Sequence, residues 1–307
     1  MAITLSIFAS FFFSITFVLN QLMSIGGGDW LWTASLRFLF MIPFFVIIVI
    51  FKKNSHFHSI IHEIKKNSKS WFLWSQVGFG LFYIPLCYAS TLAPGWLIAS
   101  TWQITIVAGS LIAPYIETGS TMKKNSRITR DESILFGIIL LGIGIVEFQH
   151  LSFLNIKNMI FATLAVLTAA IAYPLGNRKI MIINHSSGKL NTDERILAML
   201  FSSLPTWLVC SLIGLIRNGF PSTNQVYSSF FIALCSGVVA TYLFFLATQF
   251  VHKNLRKLAA VEAIQSLEVI FSVILGIILL KEPFPNLLTI VGLILIISGV
   301  VFKVLRS

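Results

Sequence analysis

Long runs of apolar residues separated by short polar connections are the main pattern of this sequence. The hydrocarbon core of a bilayer is about 30 Å thick and needs about 20 helical residues to cross it. Ten runs approach or exceed this length, so the pattern predicts an all-α integral membrane protein with ten transmembrane helices. The predicted spans are Ile3–Met23, Trp30–Phe51, Trp71–Ser90, Gly95–Ile116, Ser133–His150, Asn158–Gly176, Ile196–Ile216, Tyr227–Phe250, Ala259–Leu280 and Leu287–Leu305.

The composition also indicates that lipid is the main solvent of this chain. Of its 307 residues, 56% are hydrophobic and 11% are charged, whereas a soluble domain carries about 25% charged residues. The first span has no basic leader and no small-residue cleavage pattern, so we expect a retained helix rather than a signal peptide. Cys87, Cys210 and Cys235 all lie in apolar runs and predict neither a disulfide framework nor a metal pair.

The distribution of basic residues predicts the orientation of the helices. If the N-terminus is cytoplasmic, the outer connections carry Lys157, Arg217 and Lys281, and Arg37 lies inside the second span. The rest of the 22 Lys and Arg residues fall on the cytoplasmic side. Cytoplasmic loops retain positive charge, so we expect both termini in the cytoplasm. The net charge of +11 is then explained by topology, without a nucleic-acid partner.

Ten spans can be divided into two halves of five, and the second half would then enter the membrane from the opposite side. This arrangement predicts two inverted five-helix repeats in one membrane domain, residues 1–150 and 151–307. Equivalent spans of the two halves carry small or polar residues seven positions apart. These pairs are Gly137 and Gly144 with Gly292 and Gly299, and Gln103 and Ser110 with Gln265 and Ser272. Such spacing also favours close helix packing.

The ninth span has the most informative polar residues. Projected at 100° per residue, its polar side chains fall within one third of the helix circumference. They are Glu262, Gln265, Glu268 and Ser272. The fourth span groups Gln103 and Ser110 on one face, with Trp102 at its edge. We expect both faces to line a substrate pathway, because charged groups in a bilayer are costly. Buried helix contacts held by hydrogen bonds are the alternative.

Arg37 is the basic residue that the sequence places inside a span. Its depth in the bilayer is similar to that of Glu268, at 1.5 Å per residue, so the two side chains are candidates for an ion pair. A buried pair whose charges exchange partners would suit alternating access. The alternatives are that Arg37 binds an anionic group of a substrate or a backbone carbonyl.

Sequence motifs for other chemistry are absent. There is no phosphate-binding Gly-x4-Gly-Lys-Ser/Thr, no His-Glu-x-x-His and no Gly-x-Ser-x-Gly. We therefore expect neither an enzyme nor a cofactor. His56, His58 and His62 beside Glu63 could form a metal site, but a solvated basic loop is the preferred interpretation.

Several segments along nearly the whole chain form a family pattern. They are Thr16 to Asn20, Trp30 to Phe38, Val77 to Tyr83, Thr101 to Gln103 with Pro114, Tyr173 to Asn177, and Glu282-Pro283 with Gly292 and Gly299. In these segments the chain resembles the multidrug resistance efflux transporter family of the drug/metabolite transporter superfamily. The resemblance implies ten helices in two inverted repeats, and proton- or gradient-coupled export of small organic molecules across the bacterial plasma membrane.

One departure from the related small four-helix multidrug proteins concerns coupling. Those proteins use a membrane-embedded Glu in their first helix, and the first span here has no acidic residue. If protons are coupled, Glu268 or Glu262 would have to carry them. A carrier for amino acids or nucleosides is the alternative transport function, and an integral-membrane enzyme or a scaffold would be a different class. The substrate, the direction of transport and a homodimeric assembly stay open.

Overall fold

The computed structural model describes residues 1–53, 55–116, 129–150, 155–188, 190–252 and 254–306. For some residues within helices, Glu262 among them, the backbone is described without the side chain. The regular structure of these residues is helical. The helices are α1 Ala2–Ile25, α2 Trp30–Phe51, α3 Phe57–Lys66, α4 Ser68–Ala89, α5 Gly95–Ile116, α6 Arg130–His150, α7 Ile156–Ile183, α8 Thr192–Asn218, α9 Thr223–Val251, α10 Leu255–Ile264, α11 Leu267–Leu280 and α12 Leu287–Arg306.

Seven of these helices, α1, α2, α4, α5, α7, α8 and α9, are long and apolar enough to cross a membrane. Their outer surfaces keep large apolar side chains exposed, such as Phe8, Leu208 and Phe231. Exposed residues of this kind need lipid as their solvent. The chain is therefore an integral membrane helical protein. The other predicted spans coincide with α6, with α10 and α11 together, and with α12, and their crossing of the bilayer stays a prediction.

Several helices are longer than their apolar stretches indicated, and two of these extensions bear on the site. Helix α7 continues to Ile183, beyond the predicted end at Gly176, and α8 begins at Thr192, ahead of the predicted Ile196. The predicted boundaries were therefore wrong at these two ends. As a consequence, Arg178 and Arg195 lie inside helices and are 5% and 4% exposed, although their positions had been assigned to a cytoplasmic connection.

The start of α8 is fixed by acidic residues with different partners. Asn191 and Glu194 form a capping box, which satisfies free backbone N–H groups at the helix start. Asp193 is buried and accepts hydrogen bonds from Ser55 and, at 2.5 Å, from Lys52. Burial lowers the pKa of Lys52, but its hydrogen bond to Asp193 and the charge of Asp193 outweigh that effect and raise it above the ordinary value. The charged ammonium thus ties the end of α2 to α8.

Close contact between α6 and α12 depends on glycines. A Cβ atom on Gly142 would lie 2.7 Å from the carbonyl oxygen of Gly292, and one on Gly299 would lie 2.7 Å from Ile139. In contrast, Gly137 and Gly144 have open space around the position of a Cβ atom. The predicted close packing is therefore present at Gly292 and Gly299 of α12. On α6 the prediction was wrong, because the contact uses Gly142 rather than Gly137 or Gly144.

A second close crossing joins α4 to α7. A Cβ atom on Gly176 would overlap the backbone of Gly78, and Gly78 in turn lies against the backbone of Gly176. Gly78 lies within Gln76–Gly80, a stretch of α4 with π-helical hydrogen bonding. The widened turn and the missing side chains let the two backbones touch. This crossing positions the inner face of α7, which contributes to the site described next.

Candidate functional site

Helix α5 is interrupted at Gln103, near its middle. The N–H of Gln103 donates to the Ser100 carbonyl at 3.1 Å, and the N–H of Ile106 donates to the Gln103 carbonyl at 3.1 Å. These bonds span three residues instead of four, which tightens the turn and leaves other carbonyls free. The Gln103 side chain is fully buried and donates to one of them, the Ala99 carbonyl, at 2.9 Å.

The same kind of interruption separates α10 from α11. The N–H of Glu268 donates to the Gln265 carbonyl at 2.9 Å, and the N–H of Val269 donates to the Ser266 carbonyl at 3.1 Å. A residue distant in sequence completes the turn, because the hydroxyl of Ser10 in α1 donates to the Ile264 carbonyl at 3.0 Å. The predicted ninth span is therefore two helices. The first ends at Ile264 and the second begins at Leu267, beside Gln265 and Glu268, which were expected to carry function.

A cavity with about 310 Å³ of empty space, part of it open to the outside, lies beside these interruptions, and we call it the Glu268 cavity. Four of the residues predicted to line a substrate pathway lie on its wall, contributed by α2, α5 and the α10–α11 region. They are Arg37, Trp102, Gln265 and Glu268. The rest of the wall is largely aromatic, with Phe13, Phe17, Phe82 and Tyr173. The cavity thus combines one basic group and one acidic group with apolar rings.

Arg37 is held in this wall by an aromatic neighbour and one hydroxyl. Its guanidinium carbon lies 4.2 Å from the ring centroid of Tyr83, and its Nη2 donates to Ser236 Oγ at 3.0 Å. Nε and Nη1 are buried and have no hydrogen-bond partner in the described structure. A buried guanidinium with free donors is costly unless another group completes its shell. Arg37 therefore keeps donors available inside the protein.

Glu268 faces the same cavity from the start of α11 and is 2% exposed. Arg37 and Trp102 line the same cavity as its carboxyl group. However, no nitrogen of Arg37 lies within 4 Å of a carboxylate oxygen of Glu268, so the two do not form an ion pair. In the described part of the chain, the ion pair that does form joins Lys52 to Asp193. The acid and the base thus share a cavity without direct contact.

A larger cavity, of about 530 Å³, adjoins the first, and we call it the Arg195 cavity. Tyr173 and Gln265 line both cavities, so they form the boundary between them. The cavity extends toward the end of the bundle where α7 ends and α8 begins. Its wall includes Arg178 and Arg195.

Reasoning from the sequence missed these two arginines, because both had been assigned to a connection. A usable signal was present in α7. Asn177 and Met181 follow Tyr173 at intervals of four residues, which is the spacing of one helix face. All three line the Arg195 cavity. Continuing the helical periodicity past the end of the apolar stretch would have kept Arg178 inside α7.

The other predicted pathway residues lie apart from the walls described for the two cavities. Gln103 and Ser272 are buried, whereas Ser110 is half-buried and donates to the Ile106 carbonyl at 3.0 Å. Glu262 lies in α10, and its side chain is outside the described structure. Glu147 of α6 accepts a hydrogen bond from Thr101 in a small separate cavity.

The histidines of the first cytoplasmic connection lie on and beside α3. The rings of His58 and His62 are 6.3 Å apart. The adjacent acid, Glu63, is buried and accepts hydrogen bonds from Asn67 and Trp71, so it joins α3 to α4. Among the residues that the structure describes, no group of three or more His, Cys, Asp or Glu side chains is arranged to hold a metal ion.

Comparison with known proteins gives a match over the whole chain. Residues 1–307 match the family described as "Putative multidrug resistance efflux transporter". The chain is 44% identical over 311 residues to "Uncharacterized protein YjlA" of Bacillus subtilis (strain 168), an alignment that covers 100% of this chain and 95% of that protein. A "42.1 kDa protein in intracellular alkaline protease 3'region" of Shouchella clausii is 42% identical over 255 residues, covering 82% of this chain and 66% of that protein.

The fold also has a counterpart among solved structures. One named "Crystal structure of protein" superposes with a TM-score of 0.71 at 12% identity, and the match covers 100% of this chain and 97% of the other. At this level of identity the likeness concerns the fold alone.

Proposed function

We propose, from the premise that this chain belongs to the family of multidrug resistance efflux transporters, that it is a secondary transporter of small organic molecules across the bacterial plasma membrane. The observation that carries the proposal is the pair of adjoining cavities, which meet at Tyr173 and Gln265 inside the helix bundle. A transport pathway needs buried space that can open to either side of the membrane. The direction we propose is export.

The architecture we propose for this function is ten spans in two inverted repeats, residues 1–150 and 151–307. Irregular turns at matching places in the two halves support it. The third predicted span contains a π-helical stretch, Gln76–Gly80, and so does the eighth, at Ala233–Ala240. The fourth is interrupted at Gln103 and the ninth at Gln265. Two kinds of irregularity recurring five spans apart are expected if both halves descend from one five-helix unit.

The interrupted helices are the parts of the bundle that we expect to move. An interruption has already lost some backbone hydrogen bonds, so bending there breaks fewer of them. Gln103 and Gln265 mark the two interruptions, and Gln265 also lines both cavities. Bending at Gln265 would therefore change the boundary between the cavities. This is the change that alternating access requires.

The proposed substrate pathway is lined by Arg37, Trp102, Gln265 and Glu268. The buried Gln103 and Ser272, together with Ser110 and Glu262 on the same predicted spans, complete the set proposed to support it. For coupling we propose that Glu268 exchanges a proton. The Arg37 guanidinium shares its cavity, so substrate binding near either group would change the electrostatic environment of the carboxyl.

Proteoliposomes with purified protein would test the proposal. A pH gradient is imposed, and uptake of cations, carboxylates, amino acids and nucleosides is measured against empty vesicles. At least one class should accumulate. Gln265→Ala should lower that transport about tenfold or more, because a buried hydrogen-bonding group is lost. Asn158→Ala, an exposed position on α7, is the matched control and should have no effect. Folded protein that moves no compound in either direction would refute the function.

A further inference from the structure

Arg195 is a buried cation with free hydrogen-bonding capacity. It is 4% exposed, and its guanidinium carbon lies 4.8 Å from the ring centroid of Phe245. Its Nη2 approaches the Phe245 carbonyl at 3.5 Å, the outer limit for a hydrogen bond, and its Nε has no hydrogen-bond partner in the described structure. The protein therefore leaves part of this guanidinium uncompensated.

Neighbouring acids in the sequence are bound to other groups. Asp193 accepts hydrogen bonds from Lys52 and Ser55, and Glu194 accepts from backbone N–H groups, including that of His56 at 2.6 Å. These contacts occupy both carboxylates, and neither acid is among the residues described as lining the Arg195 cavity. Neither acid forms an ion pair with Arg195 in the described structure.

The rest of the Arg195 cavity has the polarity of a site for an amphipathic anion. Besides Arg195 it contains Arg178, and none of its described lining residues is acidic. Asn177, Thr248 and Gln265 add uncharged polar groups. The remaining wall is largely apolar, with aromatic rings from Tyr173, Phe244 and Phe245. One part of the wall thus carries positive charge, and another part can contact an apolar body.

The positive charge of this wall favours an anionic ligand. A buried cation is costly in a medium of low dielectric constant, and an anion that supplies oxygen acceptors offsets this cost. Guanidinium groups match carboxylate and phosphate oxygens, because their N–H donors lie in one plane. A cationic compound would instead meet two like charges. The cavity therefore selects against lipophilic cations.

We infer that the Arg195 cavity binds a small organic anion, with its carboxylate or phosphate on Arg195 and its aromatic or aliphatic body against the apolar wall. This inference rests on the proposed function, because it names the substrate class of the same pathway. Binding takes place before the substrate reaches the Glu268 cavity across the Tyr173 and Gln265 boundary. Arg195 is then a substrate-binding residue.

Three probes with the same phenyl-bearing three-carbon chain test this inference by isothermal titration calorimetry on purified full-length protein in a neutral detergent. They are 3-phenylpropionate, its uncharged amide and 3-phenylpropylamine. The carboxylate should bind saturably, and the amide should bind at least about tenfold more weakly, since charge-assisted hydrogen bonds to a guanidinium are lost. The amine should not compete with the carboxylate. Equal binding of all three probes, or preferential binding of the amine, would overturn the inference.

Variants of Arg195 assign the binding to this cavity. Arg195→Gln should weaken binding of the carboxylate about tenfold or more, while Arg195→Lys should retain part of it because the charge is kept. Arg217→Gln is the matched control, since Arg217 lies on the same helix but is exposed at its other end. If Arg195→Gln fails to fold, the Lys variant and the probe series still decide the question. Unchanged binding in folded Arg195→Gln protein would contradict the inference.

Transport and lipid measurements separate this inference from the proposed function. Carboxylate that binds through Arg195, in protein that moves none of the tested compounds in proteoliposomes, supports the site and refutes transport. Amine that is transported while the carboxylate neither binds nor moves supports transport and overturns the site. Phosphatidylglycerol, an anionic lipid, competes with the carboxylate for any anion-binding site that is open to the membrane. If lipid-stripped protein binds this lipid through Arg195 but not the carboxylate, the cavity holds a lipid head group and the inference is wrong.

Discussion

At the scale of single residues, the central feature is an acid and a base that share a cavity without an ion pair. Arg37 has buried donors free, and Glu268 faces the same space. A direct salt bridge would hold both side chains in one place, and breaking it would be costly. Separate side chains can each respond to a substrate or a proton. This arrangement is what a coupled transporter requires of its charged groups.

Replacing Glu268 by Gln tests its role in coupling. The amide has nearly the same shape but cannot exchange a proton, so gradient-driven accumulation should fall to the level of empty vesicles while substrate exchange without a gradient continues. Both are measured in proteoliposomes. Glu147→Gln is the matched control, because Glu147 is a second acid within the helices but lies in a separate cavity. Full gradient-driven transport by stable Glu268→Gln protein would remove Glu268 from the coupling mechanism.

At the scale of helices, contacts between backbones decide where each helix lies. The α6–α12 contact requires a glycine at position 142, where the carbonyl of Gly292 leaves no room for a side chain. Gly144, two residues further along α6, faces open space. In a membrane, helices associate largely through such packing, because lipid tails are as apolar as the side chains they contact.

Alanine substitutions at these two glycines should therefore have different effects. Gly142→Ala forces the helices apart and should destabilise the protein by about 1–3 kcal/mol, the usual cost of overpacking. Gly144→Ala should leave stability unchanged or slightly higher, because alanine favours the helix. Thermal unfolding of purified protein in detergent measures both. A Gly142→Ala protein as stable as the Gly144→Ala protein would show that α6 and α12 do not pack as described.

At the scale of the whole molecule, the proposed architecture of ten spans in two inverted repeats predicts one orientation of the chain. An even number of spans puts both termini on the same side of the membrane. The excess of basic residues in alternate connections predicts that this side is the cytoplasm. The Arg195 cavity, at the junction of α7 and α8, would then open toward the cytoplasm, where an exporter collects its substrate.

Labelling of single cysteines in intact cells tests this orientation. The native Cys87, Cys210 and Cys235 are first replaced by Ala, and one cysteine is then placed at the exposed Asn224 or Ser186. A membrane-impermeant thiol reagent should label Asn224→Cys from outside, and it should label Ser186→Cys only after the cells are opened. Labelling of Ser186→Cys in intact cells would reverse the orientation and place the Arg195 cavity at the outer surface.

The sequence by itself determined the class of the protein and most of its helices. Hydropathy is a local property, since each apolar residue prefers lipid wherever its neighbours in the fold lie. For this reason the predicted bounds of Trp30–Phe51 and Gly95–Ile116 agree with the structure. The polar residues of the ninth span also stood out locally, and two of them, Gln265 and Glu268, line a cavity. The residues that carry the family resemblance also lie in short segments of the sequence, so they can be recognised without the fold.

Only the tertiary structure decided which polar residues share a space. Arg37 and Glu268 are far apart in sequence, and the turn at Ile264 is completed by Ser10 of the first helix. Hydropathy also underestimated the lengths of α7 and α8, because backbone hydrogen bonds continue a helix beyond the residues that prefer lipid. Arg195 was assigned to a connection for that reason. Its burial depends on helices that meet only when the bundle has folded.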